Sequence, residues 1–365
     1  MKAEYIIGII LLALVGVGGL VLALSSGGMS ELNLQGNQTA EEGEPYVEIA
    51  NPSGFVNTGQ NLDGSPKPIT IGEFVGKKVI LVDFLTYSCI NCQRTFPYLV
   101  AWYDKYKDEG LEIVGIHTPE FAFEHDIDNV RAAMKMHGIT YPIVLDNDYA
   151  TWNAYGNRYW PRKYLIDIHG NIVYDHIGEG AYDETEKKIQ ELLAQRAEVL
   201  GEDMGGDTSL AADSVPETTI AARSPETYFG ASRNEYFANG MRGKLGQQSL
   251  DAPLVALLNR LYLVGDWNIS QEYAEPAAGA RILYRFNARG VYMVAEADGP
   301  VRVQVLEDGK PVTADNRGAS VDEDGYVTIE QSDLYKLIEH DSAGEHLLEL
   351  HVEGSGAKIY TFTFG

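Results

Sequence analysis

The position of the only two cysteines is the feature that most constrains what this chain can fold into. Cys89 and Cys92 directly follow residues 78–85, an almost wholly apolar run that predicts a buried strand. Residues 91–107 have the pattern of a helix, so the pair lies where a strand passes into a helix. Further strand-like and helix-like runs alternate as far as residue 200. The sequence therefore predicts an α/β domain over residues 45–200.

The spacing of the two cysteines indicates redox chemistry. Zinc binding would need two further ligands with paired spacing, and the histidines that follow do not supply them, so we expect no metal there. The free N–H groups at the start of a helix favour an anion, which makes Cys89 the predicted thiolate nucleophile. Cys92, one helical turn later, can then attack the mixed disulfide and release the substrate. We therefore expect no cofactor besides a redox-active Cys89–Cys92 disulfide.

The amino-terminal region predicts the compartment. Residues 5–24 form an uncharged apolar run that, as a helix of about 1.5 Å per residue, would span about 30 Å of hydrocarbon. Lys2 precedes this run and acidic residues follow it, so we expect a single-pass anchor at residues 1–24 and extracytoplasmic catalytic domains at the cell membrane. A cleaved signal peptide is the alternative. Residues 25–44 are rich in small and polar residues and predict a flexible tether.

The carboxy-terminal part has a different composition. Residues 201–223 are rich in Gly, Ala, Ser, Thr and acidic residues and predict a linker. Short alternating runs follow over residues 224–365 and predict an all-β sandwich. Its aromatic residues at strand spacing favour a half-buried core over a platform for stacking sugars. These residues are Tyr262, Trp267, Tyr273, Tyr284 and Tyr292.

The charge of the chain excludes one class of partner. The sequence holds 28 Lys and Arg against 53 Asp and Glu, a net charge of −25. Nucleic-acid binding relies on neutralising phosphates with basic side chains, so we expect no nucleic-acid partner. The acidic residues are spread along the whole chain, which favours a solubilising surface.

The residues around the cysteines resemble the thioredoxin superfamily. Asp83 lies six residues before the first cysteine, where thioredoxins carry a buried acid that relays a proton to or from the second. Pro97 lies five residues after the second cysteine, where they carry a helix-kinking proline. Pro161, preceded by Trp160, falls where they carry a cis-proline that receives the substrate backbone. The resemblance implies a mixed central sheet flanked by helices and a substrate-binding role for Trp160 and Pro161.

The chain also looks like the membrane-anchored TlpA/ResA-type reductases, and it is more closely similar to the extracytoplasmic part of DipZ proteins. The resemblance covers about residues 46–365 and implies that residues 224–365 form a jelly roll like a carbohydrate-binding module. Glu120 matches an acid near the cysteines of ResA-like reductases, although a surface acid of a loop is equally consistent. The stretches that carry the resemblance are YSCINCQRTFPYL (87–99), HTPEFAFE (117–124), YPIVLDNDYATWNAYGNRYWPRKYLID (141–167) and PETYFG (225–230).

These observations predict a membrane-tethered thiol:disulfide oxidoreductase that acts on exported thiol proteins. Ile90 and Asn91 supply neither a cation nor the histidine of strongly oxidising relatives, which favours reduction or isomerisation. DipZ proteins also carry a multi-helix electron-conducting domain. This chain shows a single apolar segment, so we expect electrons from a separate membrane donor of the CcdA type. Two alternatives stay open. One is a peroxiredoxin-like thiol peroxidase, suggested by Thr86, and the other is a glycan-binding or adhesion protein whose β-sandwich binds a glycan.

Overall fold

The computed structural model describes residues 43–203, 206–216 and 222–365. The predicted membrane anchor, residues 1–24, lies outside these residues, as does nearly all of the predicted tether. Within the described ranges, no helix has both the length and the apolar character needed to cross a bilayer. The described residues pack together as one unit.

The first half of this unit is built on a mixed sheet of seven strands. The strands are β1 (Glu44–Pro45), β2 (Gly54–Val56), β3 (Val79–Leu85), β4 (Leu111–His117), β5 (Ile143–Leu145), β6 (Arg162–Ile166) and β7 (Asn171–Ile177). The helices are α1 (Ile90–Tyr106), α2 (Ile127–Met136), α3 (Ala150–Ala154) and α4 (Tyr182–Leu200), with a 3-10 turn at Ala122–His125.

The strand order is β1-β7-β6-β3-β4-β5-β2. Strands β3, β4 and β5 are parallel, and the other neighbouring pairs are antiparallel. All seven residues of β3 are buried, because it lies at the centre of the sheet and apolar side chains cover both of its faces. The predicted α/β fold is thus confirmed, and the strand and helix on either side of the cysteines lie within one residue of their predicted limits.

The segment that the sequence predicts to be a linker is partly packed against the first half. Residues 206–216 include a 3-10 turn at Ala211–Ser214. The carboxylate of Glu186 on α4 accepts hydrogen bonds from the N–H groups of Ala211 (2.6 Å) and Ala212 (2.9 Å), and Ala212 is buried. The same carboxylate accepts from Trp102 and Tyr106 on α1. One buried acid therefore fixes this segment to two helices, which composition alone does not reveal.

The second half is β-rich, as predicted, and every pairing between two of its named strands is antiparallel. The strands are β8 (Thr227–Tyr228), β9 (Gly246–Leu250), β10 (Leu261–Ile269), β11 (Ala274–Pro276), β12 (Arg281–Ala297), β13 (Val301–Glu307), β14 (Lys310–Pro311), β15 (Tyr326–Ile329), β16 (Asp333–Val352) and β17 (Ala357–Phe364). The jelly-roll topology stays a prediction.

Strand β12 is long and pairs with three neighbouring strands. Its first part pairs with β10 and its last part with β17, while β16 pairs along nearly the whole of it. The pairing register with β16 shifts between Ala288 and Gly290. Residues 287–289 are therefore accommodated in an irregular stretch within one continuous strand.

Candidate active site

The two cysteines lie where β3 passes into α1. Cys89 is the residue just before the first turn of α1, with extended backbone angles of φ −78° and ψ 121°, and it is partly exposed. Cys92 lies in the first turn and is completely buried. Both are free thiols. An external disulfide can therefore reach Cys89 but not Cys92, while the attacking and resolving roles of the two thiols stay predictions.

The surroundings of Cys92 keep it protonated. Burial raises the pKa of the Cys92 thiol well above its usual range, and the neighbouring Cys89 and Asp83 raise it further. Only the thiolate form of a cysteine is a nucleophile. Cys92 therefore needs a nearby base before it can attack a mixed disulfide.

Asp83 is an acid near this buried thiol, and its role in proton transfer stays a prediction. It lies on β3 directly opposite Lys163 on β6, and both side chains are completely buried. Among the residues that the structure describes, neither carboxylate oxygen of Asp83 has a hydrogen-bond partner. Burial raises the pKa of Asp83 to about 7, and the positive charge of Lys163 opposes that shift. A carboxyl group with a pKa near neutrality can both take up and release a proton at physiological pH.

Lys163 is a site residue that the sequence analysis missed. Its Nζ donates a hydrogen bond of 3.2 Å to the carbonyl oxygen of Gly178. Burial lowers the pKa of Lys163, while the charges of Asp83 and Cys92 oppose this change. The sequence does hold a signal for it, because Lys163 is two residues from Leu165 on β6 and shares its inward face. A lysine on a buried face indicates a buried acidic partner.

The two prolines implied by the thioredoxin resemblance lie in the expected places. The Trp160–Pro161 peptide bond is cis and directly precedes β6. The Pro161 carbonyl accepts a hydrogen bond of 2.8 Å from Gly178 N–H, and the half-buried Trp160 ring packs on Trp152 with 4.4 Å between ring centroids. Pro97 lies inside α1 on its exposed side. Substrate binding by Trp160 and Pro161, and a structural role for Pro97, stay predictions.

Glu124 organises the loop that leads into Cys89, and the sequence analysis did not identify it. Its buried carboxylate accepts hydrogen bonds from the hydroxyls of Thr86 and Ser88 on one side. On the other side it accepts from the N–H groups of Glu120 and Phe121. Burial raises the pKa of Glu124, and the two hydroxyl bonds oppose that change. One carboxylate thus ties the loop before the cysteines to the loop after β4.

Glu120 contacts the second half of the protein. Its Oε1 accepts hydrogen bonds of 2.9 Å from the hydroxyl of Tyr228 and 2.9 Å from Nη1 of Arg233. The Arg233 guanidinium also lies 3.6 Å from the centroid of the Tyr228 ring. The predicted catalytic role of Glu120 stays a prediction, and the structure gives its carboxylate a clear contact to the β-rich half.

Apolar packing joins the two halves next to this ion pair. Phe121 and Phe123, which follow β4, each pack on Tyr360 of β17 with ring centroids 4.9 Å apart. One continuous buried cluster contains these three rings and also Cys92 and Tyr292 of β12. The β-rich half therefore packs directly against the domain that carries the cysteines.

A cleft of about 240 Å³ opens along this junction. Glu120 and Trp160 line it from the first half, while Tyr228, Arg233 and Glu272 line it from the second. The residue that precedes the cis-proline thus shares a cleft with aromatic and charged side chains of the β-rich half. An extended peptide could lie in this cleft with contacts to both halves.

Comparisons with known proteins agree with this description. Residues 50–193 match the family described as Redoxin, and residues 224–365 match the family described as thioredoxin-like C-terminal domain. The DipZ proteins of Mycobacterium tuberculosis and Mycobacterium bovis are 36% identical to this chain over 315 residues, which is 86% of this chain. The chain spans 42% of the length of those proteins.

Two shorter relatives match the first half of the chain. The thiol-disulfide oxidoreductase YkuV of Bacillus subtilis is 30% identical over 127 residues, or 35% of this chain and 85% of that protein. The thiol-disulfide oxidoreductase ResA of Halalkalibacterium halodurans is 32% identical over 140 residues, or 38% of this chain and 73% of that protein. Among solved structures, a thioredoxin-like protein in the oxidised form is 26% identical, with a TM-score of 0.38 over 43% of this chain and 99% of that one.

The resemblance to ResA-like and DipZ proteins that the sequence predicts is therefore confirmed. Taken with the strand-to-helix junction at Cys89 and Cys92, these matches show that the chain belongs to the family of thioredoxin-like thiol-disulfide oxidoreductases.

Proposed function

We propose that this protein reduces or isomerises disulfides in exported proteins, with Cys89 attacking and Cys92 resolving. The observation that carries the proposal is the difference between the two cysteines. Cys89 is accessible at the start of α1, whereas Cys92 is buried beside an acid whose pKa is about 7. In such a pair one cysteine attacks the substrate and the other releases the substrate from the mixed disulfide.

The reaction uses each of these groups in turn. The Cys89 thiolate attacks one sulfur of the substrate disulfide, forms a mixed disulfide and releases the other substrate sulfur as a thiolate, which takes a proton from water. Asp83 accepts the proton of Cys92, and the Cys92 thiolate attacks the Cys89 sulfur. The second substrate sulfur leaves as a thiolate. Two electrons have passed from the protein dithiol to the substrate, and the protein holds a Cys89–Cys92 disulfide.

Lys163 supports the proton transfer in this scheme. The deprotonated form of Asp83 carries a buried negative charge. The ammonium group of Lys163 offsets part of the free-energy cost of burying that charge. Asp83 remains a strong enough base to accept a proton because burial keeps its pKa near neutrality. Lys163 is thus a positioning residue that acts through Asp83.

The cleft at the junction of the two halves is our candidate for substrate binding. Trp160 and the cis-proline provide a surface for a peptide backbone, and Tyr228 and Arg233 extend that surface into the β-rich half. Exported thiol proteins, which include apocytochromes as candidates, are the expected substrates. The β-rich half would then contribute to the choice of substrate.

The compartment and the electron donor complete the proposal. The apolar run over residues 5–24 supports a membrane anchor with the described residues outside the cytoplasm. The 365 residues hold no third cysteine, so the electrons that regenerate the dithiol come from a donor outside these residues. A membrane electron carrier of the CcdA type is our candidate. The dithiol itself needs no added cofactor for the exchange steps.

Neither alternative activity gains support from the geometry. A peroxidase would use the Thr86 hydroxyl at the reactive cysteine, but this hydroxyl donates to the buried Glu124. A glycan platform would use exposed aromatic residues of the β-rich half. Four of its five candidate residues are buried in the core, namely Tyr262, Trp267, Tyr284 and Tyr292.

Trapping of mixed disulfides tests the proposal. Cys92→Ser should accumulate mixed disulfides with exported proteins through Cys89, because the resolving thiol is absent. Cys89→Ser, as the matched control, should trap few, since Cys92 is buried. Covalent adducts are counted on non-reducing gels after acid quenching of cells that express each variant. Equal trapping by both variants would contradict the roles given to the two cysteines, and no trapping by either would contradict the activity.

A further inference from the structure

A second cluster of reactive side chains lies in the β-rich half and takes no part in the redox site. Glu307 ends β13, Asp308 follows it in the turn to β14, and His340 and His346 lie on β16. The Nε2 atom of His340 is 2.8 Å from Oε1 of Glu307. The Nδ1 atom of His346 is 2.9 Å from Oδ2 of Asp308 and 3.9 Å from Oε1 of Glu307.

The ligand-type atoms of this cluster lie close to the spacing that a metal ion requires. In a tetrahedral zinc site with bonds of about 2.0–2.1 Å, neighbouring ligand atoms are about 3.3 Å apart. The three distances given above, 2.8, 2.9 and 3.9 Å, lie on both sides of this value. The nearest donor atoms of Glu307, His340 and His346 all lie within 4.8 Å of one another. Small rotations of the two half-exposed imidazoles would therefore bring the donor atoms around one ion.

Neighbouring groups hold the two carboxylates in position. The Nδ2 amide of Asn316 donates to Oε2 of Glu307 (2.5 Å), which leaves Oε1 to face the histidines. The N–H group of Leu347 donates to Oδ1 of Asp308 (2.9 Å), which leaves Oδ2 to face His346. Such outer hydrogen bonds orient metal ligands in proteins. Glu307 itself is 8% exposed, so its charge sits in a largely enclosed place.

The cluster also has an accessible side. An open cleft of about 420 Å³ is lined by Glu307, Asp308, Asn316 and His340, among other residues. A hydrated ion can reach the carboxylates and the His340 imidazole through this cleft. Two imidazoles with two carboxylates suit zinc and related first-row divalent ions better than calcium or magnesium, which prefer oxygen ligands alone.

The place of the cluster in the sheet suggests what an ion would do. The pairing of β16 with β12 jumps from Glu339 opposite Gly290 to Gly344 opposite Ala288, so residues 340–343 leave the regular ladder. His340 and His346 stand on either side of this irregular stretch. An ion bound to both histidines and to Glu307 would hold this irregular stretch of β16 against the end of β13.

We propose that Glu307, Asp308, His340 and His346 form a binding site for a divalent first-row transition-metal ion, zinc being the ion that fits best. The site differs from the cysteine pair and does not depend on the proposed redox activity. Its expected effect is to stabilise the β-rich half.

Zinc binding to the full chain tests this proposal. The untagged protein carries Cys89→Ser and Cys92→Ser, so that no thiolate can bind the metal, and it is freed of metal with a chelator. Titration calorimetry with zinc chloride should give saturable binding of one ion per chain. His340→Asn and His346→Asn should each weaken binding by about 100-fold. His351→Asn, on the same strand but outside the cluster, is the matched control and should bind as the parent does.

A second measurement guards against variants that fail to fold. Zinc should raise the unfolding temperature of the parent and of His351→Asn, and excess chelator should reverse the rise. Glu307→Gln keeps the shape of the side chain and should lose most of this rise while its near-ultraviolet circular dichroism stays that of the parent. Absence of saturable zinc binding in the parent would overturn the proposal, as would equal binding by the parent and both histidine variants.

Discussion

Replacing Asp83 by Asn should change how the stability of the protein depends on pH. Burial raises the pKa of Asp83 from 3.8 to about 7 in the folded protein. That shift of about three units corresponds to about 4 kcal/mol, because each unit is worth about 1.4 kcal/mol. Asp83 is completely buried, so this figure needs no reduction for solvent screening.

The direction of the effect follows from proton counting. Between pH 4 and pH 7 the folded protein keeps a proton on Asp83 that the unfolded chain has released, so the free energy of unfolding falls as pH rises. Below about pH 3 both states hold the proton and the contribution is fully present, and above about pH 8 it is fully lost. About 2.5 kcal/mol of the loss falls between pH 5 and pH 8. The asparagine variant has no such group and lacks this part of the pH dependence.

Urea unfolding of residues 43–365, with the dithiol reduced, measures the free energy of unfolding at half-unit steps from pH 5 to pH 8. The free energy of unfolding of Asp83→Asn minus that of the parent should increase by about 2.5 kcal/mol across the range. Groups common to both proteins cancel in this difference. Asp128→Asn, which removes an exposed acid of α2, is the control for the loss of one carboxylate. A difference for Asp83→Asn that stays constant within about 0.5 kcal/mol would refute the assignment of a raised pKa to this carboxyl.

Two further changes test the residues around the dithiol. Lys163→Met removes the charge that opposes the rise in the pKa of Asp83. The pH–rate profile for disulfide reduction should therefore move to higher pH. An unmoved profile would exclude an influence of Lys163 on Asp83. Glu124→Gln replaces a buried carboxylate that accepts five hydrogen bonds from two loops. It should lower the free energy of unfolding by about 2–4 kcal/mol in urea unfolding and slow insulin reduction, whereas unchanged stability would contradict its organising role.

The sequence predicts the parts of the site that depend on neighbours along the chain. An apolar strand, two cysteines and a helix follow one another directly, so local pattern places Cys89 and Cys92 correctly. Asp83 and Pro161 lie far apart along the chain, and the resemblance to thioredoxins assigned them. The cis bond before Pro161 is present in the structure as that resemblance implies.

The parts that local pattern does not predict depend on pairing across the sheet and between the two halves. Lys163 faces Asp83 only because β6 is antiparallel to β3 in one register. Glu120 looks like a free loop acid until the β-rich half brings Arg233 to it. His340 and His346 have no ligand-like spacing in the sequence, and they meet Glu307 because β16 lies beside β13. Contacts of this kind depend on tertiary structure, which composition and periodicity do not specify.

The reduction potential of the Cys89–Cys92 pair tests the central claim most directly. Residues 43–365 are equilibrated with glutathione or dithiothreitol buffers of known potential, and the fraction of disulfide is read by alkylation and mass spectrometry. A reductase or isomerase of this design should show a two-electron transition at about −270 to −180 mV, the range of thioredoxin and protein disulfide isomerase. A potential of about −120 mV, typical of a strong disulfide donor, would contradict the proposed direction of electron flow. Failure of the two cysteines to form a disulfide at any potential would contradict the account as a whole.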